Sequence, residues 1–357
     1  MKINVHAPIG YTGYGVAGLN IVKSLVSRGN EVALWHKPNP SVDNQVDADI
    51  VSEAIRRQDF CSFDAPSLKI WHQFDLIEHI GRGKYYAFPF FELDTFNEKE
   101  IKNIQFPDHI FVTCQWAKDV VCQYRDTSEV SIVPLGVDEN IFAPKVRKRN
   151  DRFVIANFGK WEKRKGHDVL ADIFNKAFLP TDDVELRMYP YNPFLNEKEV
   201  KTWEDHYMFR PLGHRTFISS RIQTHVELAR HMSLIDVAIF PSRAEGWNLE
   251  LLETMAMGKT VITTNYSAHT GFCNKDNAIL VDIDAKEKAH DGKWFFGAGS
   301  WAKLGDDQID AFVEALRVCY KKWQHDDASL YNECGIATGK GLTWDNTASI
   351  IEERFNE

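Results

Sequence analysis

Short apolar runs alternate with helical segments along nearly the whole of this 357-residue chain, and they do so in two rounds. Lys2 to His6, Glu31 to Trp35, Leu68 to Trp71, Tyr85 to Phe88, His109 to Thr113 and Val130 to Val133 read as strands of the first round. Phe153 to Asn157, Val184 to Met188, Thr216 to Ile218, Val237 to Phe240, Thr260 to Thr263 and Ala278 to Val281 read as strands of the second. A helix spans about Val16 to Arg28 and stops at Gly29. Parallel strands need a crossover and helices supply it, so the alternation predicts an α/β fold with parallel sheets covered on both faces. The length exceeds what one core usually carries, which makes two doubly wound, Rossmann-like domains the expectation. Ligands of such sheets bind where the carboxyl ends of strands face a crevice, expected here between the two domains.

Three segments carry candidate chemistry. Leu234 to Phe240 is an apolar run closed by Pro241, and Asn248 to Met257 has helical spacing at Leu249, Leu252 and Met255 before Gly258 stops it. The loop between them lies at the carboxyl end of the sheet, where the amides of Trp247, Asn248 and Leu249 point outward toward an anion. Asn248 also suits a helix cap. Glu245 on that loop and Glu253 on the first turns of the helix are expected to face one ligand. The second segment, Val154 to Gly166, repeats the layout: a strand, then the cations Lys160 and Lys165, then amphipathic Val169 to Phe174. The third is the glycine cluster Gly10 to Gly18 after the first strand. Its context is that of a dinucleotide fingerprint, so a nicotinamide or flavin enzyme is a competing reading. Against it, Gly13-x-Gly15-x-x-Gly18 arrives several residues late, and Glu31 begins the second strand where the ribose-binding acid should end it.

Pro241-Ser-Arg-Ala-Glu-Gly-Trp247, Leu251-Leu-Glu-Thr-Met-Ala-Met-Gly258 and Lys259-Thr-Val-Ile-Thr-Thr264 together resemble the Glu-x7-Glu block of retaining GT-B glycosyltransferases of family 4, the group 1 glycosyl transferases. Gly159-Lys-Trp-Glu-Lys-Arg-Lys-Gly166 resembles that family's Gly-Arg and Lys-Gly elements, with Lys160 in the arginine's place and Lys165 matching the lysine. Arginine grips phosphate with a planar fork and lysine as a point charge, so position 160 departs chemically from the family. Ser131 to Pro144 is similar to the segment closing the first domain, ahead of the mostly basic connector Lys145 to Arg152. Trp344 to Phe355 is similar to a terminal helix that crosses back. The resemblance thus implies an acceptor-side domain over residues 1–145, a donor-side domain over 146–340, and a returning helix over 341–357.

By the same resemblance, the chain moves a sugar from a nucleotide diphosphate to an acceptor hydroxyl with retention of configuration. Lys160 and Lys165 hold the diphosphate, Glu245 contacts the transferred sugar, and Glu253 holds the ribose. The loop bearing Gly13 and Gly15 approaches the phosphates and sugar. Tyr85 to Asp94 resembles a branch in which a Phe-Glu-x-Asp segment follows a strand, which makes Glu92, with His72, a contact for sugar or acceptor. Front-side attack implies that the leaving phosphate oxygen takes the acceptor's proton, and double displacement with Glu245 as nucleophile is the second route. A sugar-nucleotide epimerase is the alternative function on this fold. Asp282-Ile-Asp284 reads as a strand-end turn, and no metal and no cofactor beyond the nucleotide sugar is expected. The base (uridine, guanosine or adenosine) and the acceptor stay open, whether glycan, lipid-linked glycan, small metabolite or modified DNA base.

A net charge of −9 argues against broad attraction to nucleic acid or anionic lipid. The six cysteines, Cys61, Cys114, Cys122, Cys273, Cys319 and Cys334, show neither Cys-x-x-Cys nor zinc spacing, which suggests reduced thiols and a cytoplasmic setting. Met1 to Ala7 reads as a short strand and not a signal peptide, and no apolar run reaches the ~18 residues of a membrane span.

Overall fold

The computed structural model describes residues 1–37, 40–145, 149–325 and 330–357. Residues 146–148, inside the expected basic connector, lie outside the described residues. Two compact units form: Met1–Asp138 with Gly246–Leu249 and Leu342–Glu357, and Glu139–Glu245 with Glu250–Gly341.

In the first unit β1 (Lys2–Ala7), α1 (Gly13–Ser27), β2 (Glu31–His36), α2 (Gln45–Arg56), β3 (Ser67–Lys69), β4 (Tyr85–Ala87), α3 (Glu98–Gln105), β5 (His109–Val112), α4 (Gln115–Val121) and β6 (Val130–Ile132) follow one another. The six strands form one parallel sheet in the order β2-β1-β3-β4-β5-β6, with Val5 opposite both Leu34 and Leu68. The order reverses beside β1, so the loops after β1 and β3 diverge and leave a crevice at the sheet's carboxyl edge. Helix α1 begins earlier than its apolar spacing predicts because glycines let it start against the loop. A Cβ on Gly15 would stand 2.6 Å from the Gly10 nitrogen, and one on Gly18 2.2 Å from the Pro8 oxygen. Gly29, at φ +86°, ends the helix as expected of a left-handed stop.

The second unit runs through β7 (Phe153–Phe158), α5 (His167–Ala177), β8 (Val184–Tyr189), α6 (Glu197–Met208), β9 (Thr216–Ile218), α7 (His225–Ser233), β10 (Val237–Phe240), α8 (Leu249–Ala256), β11 (Thr260–Asn265) and β12 (Ile279–Asp282). Its six strands are parallel in the order β12-β11-β10-β7-β8-β9. Read from the other edge this is the doubly wound order, with the reversal between β7 and β10. Both strands are buried along their whole length, which is why they read as unbroken apolar runs. An antiparallel hairpin of β13 (Lys286–His290) and β14 (Phe296–Ala302) follows, then α9 (Asp306–His325) and α10 (Glu333–Gly341). Strand β13 has polar or charged residues at every position but Ala289, and β14 carries two glycines, so neither shows a strand's alternation in the sequence.

The last helix, α11 (Trp344–Phe355), packs on the first unit. The Thr343 hydroxyl caps it by accepting from the Asn346 amide, Thr347 donates to the Pro134 carbonyl, and Arg28 of α1 pairs with Asp345 and Glu352. Gly136 makes the close approach, since a Cβ there would lie 2.2 Å from the Trp344 nitrogen. Gly136→Ala is therefore expected to destabilise the protein by about 1–3 kcal/mol, an overpacking cost. Urea unfolding measures the loss, and proteolysis near residue 342 should quicken; an unchanged midpoint would show that the helix does not need this contact.

Candidate active site

The loops at the β7–β10 reversal meet around one buried carboxylate. Glu245 is 4% exposed, and its Oε1 accepts from Lys165 Nζ at 3.0 Å and from the Ser242 hydroxyl at 2.9 Å. Its Oε2 accepts from Arg164 Nη1 at 2.6 Å, and the same nitrogen donates to the Ala244 carbonyl. Arg164 Nη2 continues to Glu162, whose other oxygen lies 3.1 Å from Lys160. The loop's backbone is also bound: Glu245 N donates to the Ser267 hydroxyl, and Ala268 N to the Glu245 carbonyl.

Burial alone would raise the pKa of Glu245, but Arg164 and Lys165 outweigh it and hold the carboxyl well below the usual carboxylate range. Burial likewise works against the charge on Lys165, and Glu245, followed by Glu250, keeps that ammonium protonated. An unpaired buried ion costs several kcal/mol, so these groups stay charged only as a set. By direct contact, Lys160 and Arg164 pair with Glu162, and Arg164 and Lys165 with Glu245, at the sheet's carboxyl edge. Gly159, at φ +130°, makes room for this: its missing Cβ would sit 3.0–3.1 Å from Cδ and Nζ of Lys165.

His167 sets the loop's height on the sheet. Its Nδ1 accepts from the Glu162 amide at 3.1 Å, so the proton resides on Nε2, which donates to Asn157 Oδ1 at 2.8 Å. Asn157, a buried polar residue in β7, donates in turn to the Ile239 carbonyl of β10. Thus the two strands and the cationic loop are joined by one hydrogen-bond chain. Gly166 follows at φ +74°, where a Cβ would lie 2.0 Å from the Pro241 oxygen. A cavity of about 570 Å³ opens at the ends of β8 and β9, lined in part by Trp161, Tyr191, Asn192, Ser219, Ser220 and Arg221. Its wall is continuous with the cationic loop, since Trp161 N donates to the Pro190 carbonyl and Asn192 Nδ2 to the Trp161 carbonyl.

The structure thus brings together Glu245, Lys165 and, through Glu162, Lys160. Glu253 is buried on α8. Trp247, Asn248 and Leu249 group with the first unit, where the Thr113 hydroxyl donates to the Gly246 carbonyl at 2.6 Å. Asn248 has φ +83°, a left-handed backbone that Asn tolerates, in place of the extended backbone of an ordinary N-cap. Asp282 accepts from Asn265 and Asp284 from Gln308, which accounts for both members of the Asp-x-Asp pair. Among the described residues no group of His, Cys, Asp and Glu is arranged to hold a metal, and no helix is long and apolar enough to cross a membrane. Arg164, Ser242, Ser267 and the Asn157–His167 pair were missed by sequence reasoning. Only Arg164 left a signal, as the middle of a Lys-Arg-Lys run.

In the first unit the reversal beside β1 gathers the other candidates around Tyr14. Its ring lies 4.4 Å from that of His72 and stacks on Phe90 at 4.6 Å, while its hydroxyl donates to the Phe90 carbonyl and accepts from the Phe90 amide. Burial raises the Tyr14 pKa well above normal, and the Glu92 charge adds to the rise. The glycine loop, His72 and Glu92 therefore share one neighbourhood. Gly13 has open space around it, whereas Gly15 is packed against Gly10.

Two parallel six-stranded sheets, built on these reversals, define a GT-B fold. Residues 152–291 match the family described as "Glycosyl transferases group 1". It is 26% identical over 257 residues to the D-inositol 3-phosphate glycosyltransferase of Paenarthrobacter aurescens (strain TC1); the match takes in 68% of this chain and 55% of that protein. The chain therefore spans about half the length of this curated relative. In fold it is similar to sucrose-phosphate synthase from Thermosynechococcus elongatus, with TM-score 0.71, 14% identity, and coverage of 100% of this chain and 98% of that one. It is equally similar to Anabaena HepE in complex with UDP and glucose, at TM-score 0.72, 13% identity, and full coverage of both chains.

The neutral His167 generates a pH prediction. Burial, then Lys165, lowers its pKa from 6.5 to about 3, so the unfolded chain takes the proton first. Its contribution to stability is complete above pH about 6.5 and is lost as pH falls toward about 3, at up to about 1.4 kcal/mol per pH unit. Urea unfolding across that range should show a shallower loss in His167→Gln than in the wild type; equal slopes would refute the assignment.

Proposed function

We propose that this chain is a retaining glycosyltransferase that moves a hexosyl group from a nucleotide diphosphate to an acceptor hydroxyl without a metal ion. The observation that carries the reading is the buried cluster of Glu245, Arg164 and Lys165, extended to Lys160 through Glu162, at the β7–β10 reversal. A departing diphosphate gathers negative charge, and fixed donors aimed at that charge supply a large share of catalysis. Lys165, already protonated and immobile, meets it without reorganisation. Lys160, one-third exposed over the Phe194 ring, adds a second, more mobile cation.

Glu245 is then oriented toward the hydroxyls of the transferred sugar and steadies positive charge on its ring. Glu253 on α8 takes the ribose diol, with two hydrogen bonds to one carboxylate. The 570 Å³ cavity beyond Trp161 suits the nucleoside, with Tyr191 as an aromatic wall. The amides of Trp247, Asn248 and Leu249, with the loop of Gly13 and Gly15, serve the phosphates and the sugar; His72 and Glu92 serve the sugar or acceptor. Transfer proceeds at the sugar's front face: the acceptor oxygen bonds to the anomeric carbon as the phosphate oxygen leaves and takes the acceptor's proton. No cofactor beyond the nucleotide sugar enters, and a cytoplasmic site of reaction accords with the scattered cysteines. The UDP and glucose bound by HepE make a uridine-linked hexose the first donor to test, ahead of GDP- and ADP-linked sugars. The acceptor class runs from glycans and lipid-linked glycans to a modified DNA base.

Labelled UDP-, GDP- and ADP-hexoses test the reading directly. Release of nucleoside diphosphate with label on an acceptor is expected; a new sugar isomer would mean an epimerase, and binding alone a silent module. Lys165→Ala should lower turnover by about 10²–10³. Glu245→Gln should depress turnover more than nucleotide affinity, and Glu253→Ala the reverse, by calorimetric titration of the diphosphate. The opposite ranking would overturn the two roles.

A further inference from the structure

The β13–β14 hairpin is tied to the loops of the cationic cluster by the side chain of Arg243, with Lys163 beside it. Arg243 Nη1 and Nη2 bind both oxygens of Asp168 in the first turn of α5, at 2.7 and 2.9 Å, and Nη1 also donates to the Lys163 carbonyl. Its Nε donates at 3.0 Å to Glu287 Oε1 of β13, an oxygen that also accepts from the fully buried Trp301 Nε1 of β14. The backbone repeats the connection, with Ala302 N donating to the Arg243 carbonyl and Arg243 N to the Arg164 carbonyl, and the Lys163 ammonium donates to the His290 carbonyl. Arg243 is 4% exposed although it lies in a loop, and every donor of its fork is directed at the hairpin, at α5 or at the 160–165 loop. From the sheet, the Thr264 hydroxyl of β11 holds the Ser242 carbonyl at 2.7 Å, and Arg243 carries the hold on the hairpin side. The family match ends at residue 291, in the turn of the hairpin, so β14 lies beyond it.

We infer that the hairpin is a positioning device for the proposed transfer: through Glu287 and Arg243 it fixes the 242–245 loop so that the Glu245 carboxylate stays aligned with Arg164 and Lys165. Glu287 and Arg243 are positioning residues, since neither joins the charged cluster by its own side chain. The inference rests on the glycosyltransferase reading for its kinetic arm and on the fold alone for its exchange arm. Lysine in place of Arg243 keeps the charge but cannot span Asp168, the Lys163 carbonyl and Glu287 at once.

The test compares the wild type with Glu287→Ala, Glu287→Gln and Arg243→Lys. In hydrogen exchange, Glu287→Ala should exchange about tenfold faster over residues 241–246 and 160–166, with the first unit's sheet unchanged. Unaltered exchange over 241–246 overturns the inference whether or not the protein transfers sugar. In turnover of the accepted nucleotide sugar, Glu287→Ala and Arg243→Lys should lose about tenfold in kcat with diphosphate Kd within twofold. Glu287→Gln, whose amide oxygen still accepts from Trp301 and Arg243, should recover most of the rate. Equal losses in kcat, Kd and melting temperature, with no recovery by glutamine, would reduce the hairpin to general scaffolding and overturn the proposal. A wild type that exchanges as expected but turns over no nucleotide sugar would instead sink the functional reading and leave the brace standing.

Discussion

A carboxylate buried at the end of a sheet must have cations, and those cations must have it. Glu245 alone, or Lys165 alone, would be expelled to solvent or neutralised at the cost of several kcal/mol. Together with Arg164 and Ser242 they form a set in which each member keeps the others charged. Most of what surrounds the site follows from maintaining that set. Asn157 and His167 tie the cationic loop to the central strands, Ser267 holds the backbone of Glu245, and glycines at 159 and 166 admit side chain and carbonyl where a Cβ would collide.

The same physics explains what the sequence disclosed. Both parallel sheets were legible because strands covered on two faces, such as Phe153–Phe158 and Val237–Phe240, must be apolar throughout, and turns at Gly29 and Gly258 need left-handed backbone. Strand ends moved by a residue or two. The hairpin of Lys286–His290 and Phe296–Ala302 was illegible: it has no core of its own and is anchored by Glu287, Trp301 and Arg243, which are far apart in the chain.

The site was legible in type more than in detail. Glu245 and Lys165 stood out because their loops follow buried strands and precede helices, and the chain brings them within 3.0 Å. That Arg164, and not only its neighbours, would bind Glu245 could not be read from a run of cations, since spacing does not say which way each side chain turns. Asn157 and His167 were hidden for the opposite reason: a polar residue within an apolar strand and a lone histidine at a helix start look like ordinary core positions. Tyr14, between the glycine loop, His72 and Phe90, was read as part of a glycine cluster when its ring is what gathers that corner.

Gly159 carries a consequence for altering such a site. The stem of Lys165 lies across the spot where any other residue would carry its first carbon, so the ammonium's reach is determined by an atom the chain does not have. An alanine there, already disfavoured at φ +130°, would displace the cation by tenths of an ångström while every charged group kept its identity. The position of the buried charge is thus adjustable by a neutral methyl, with no change in net charge.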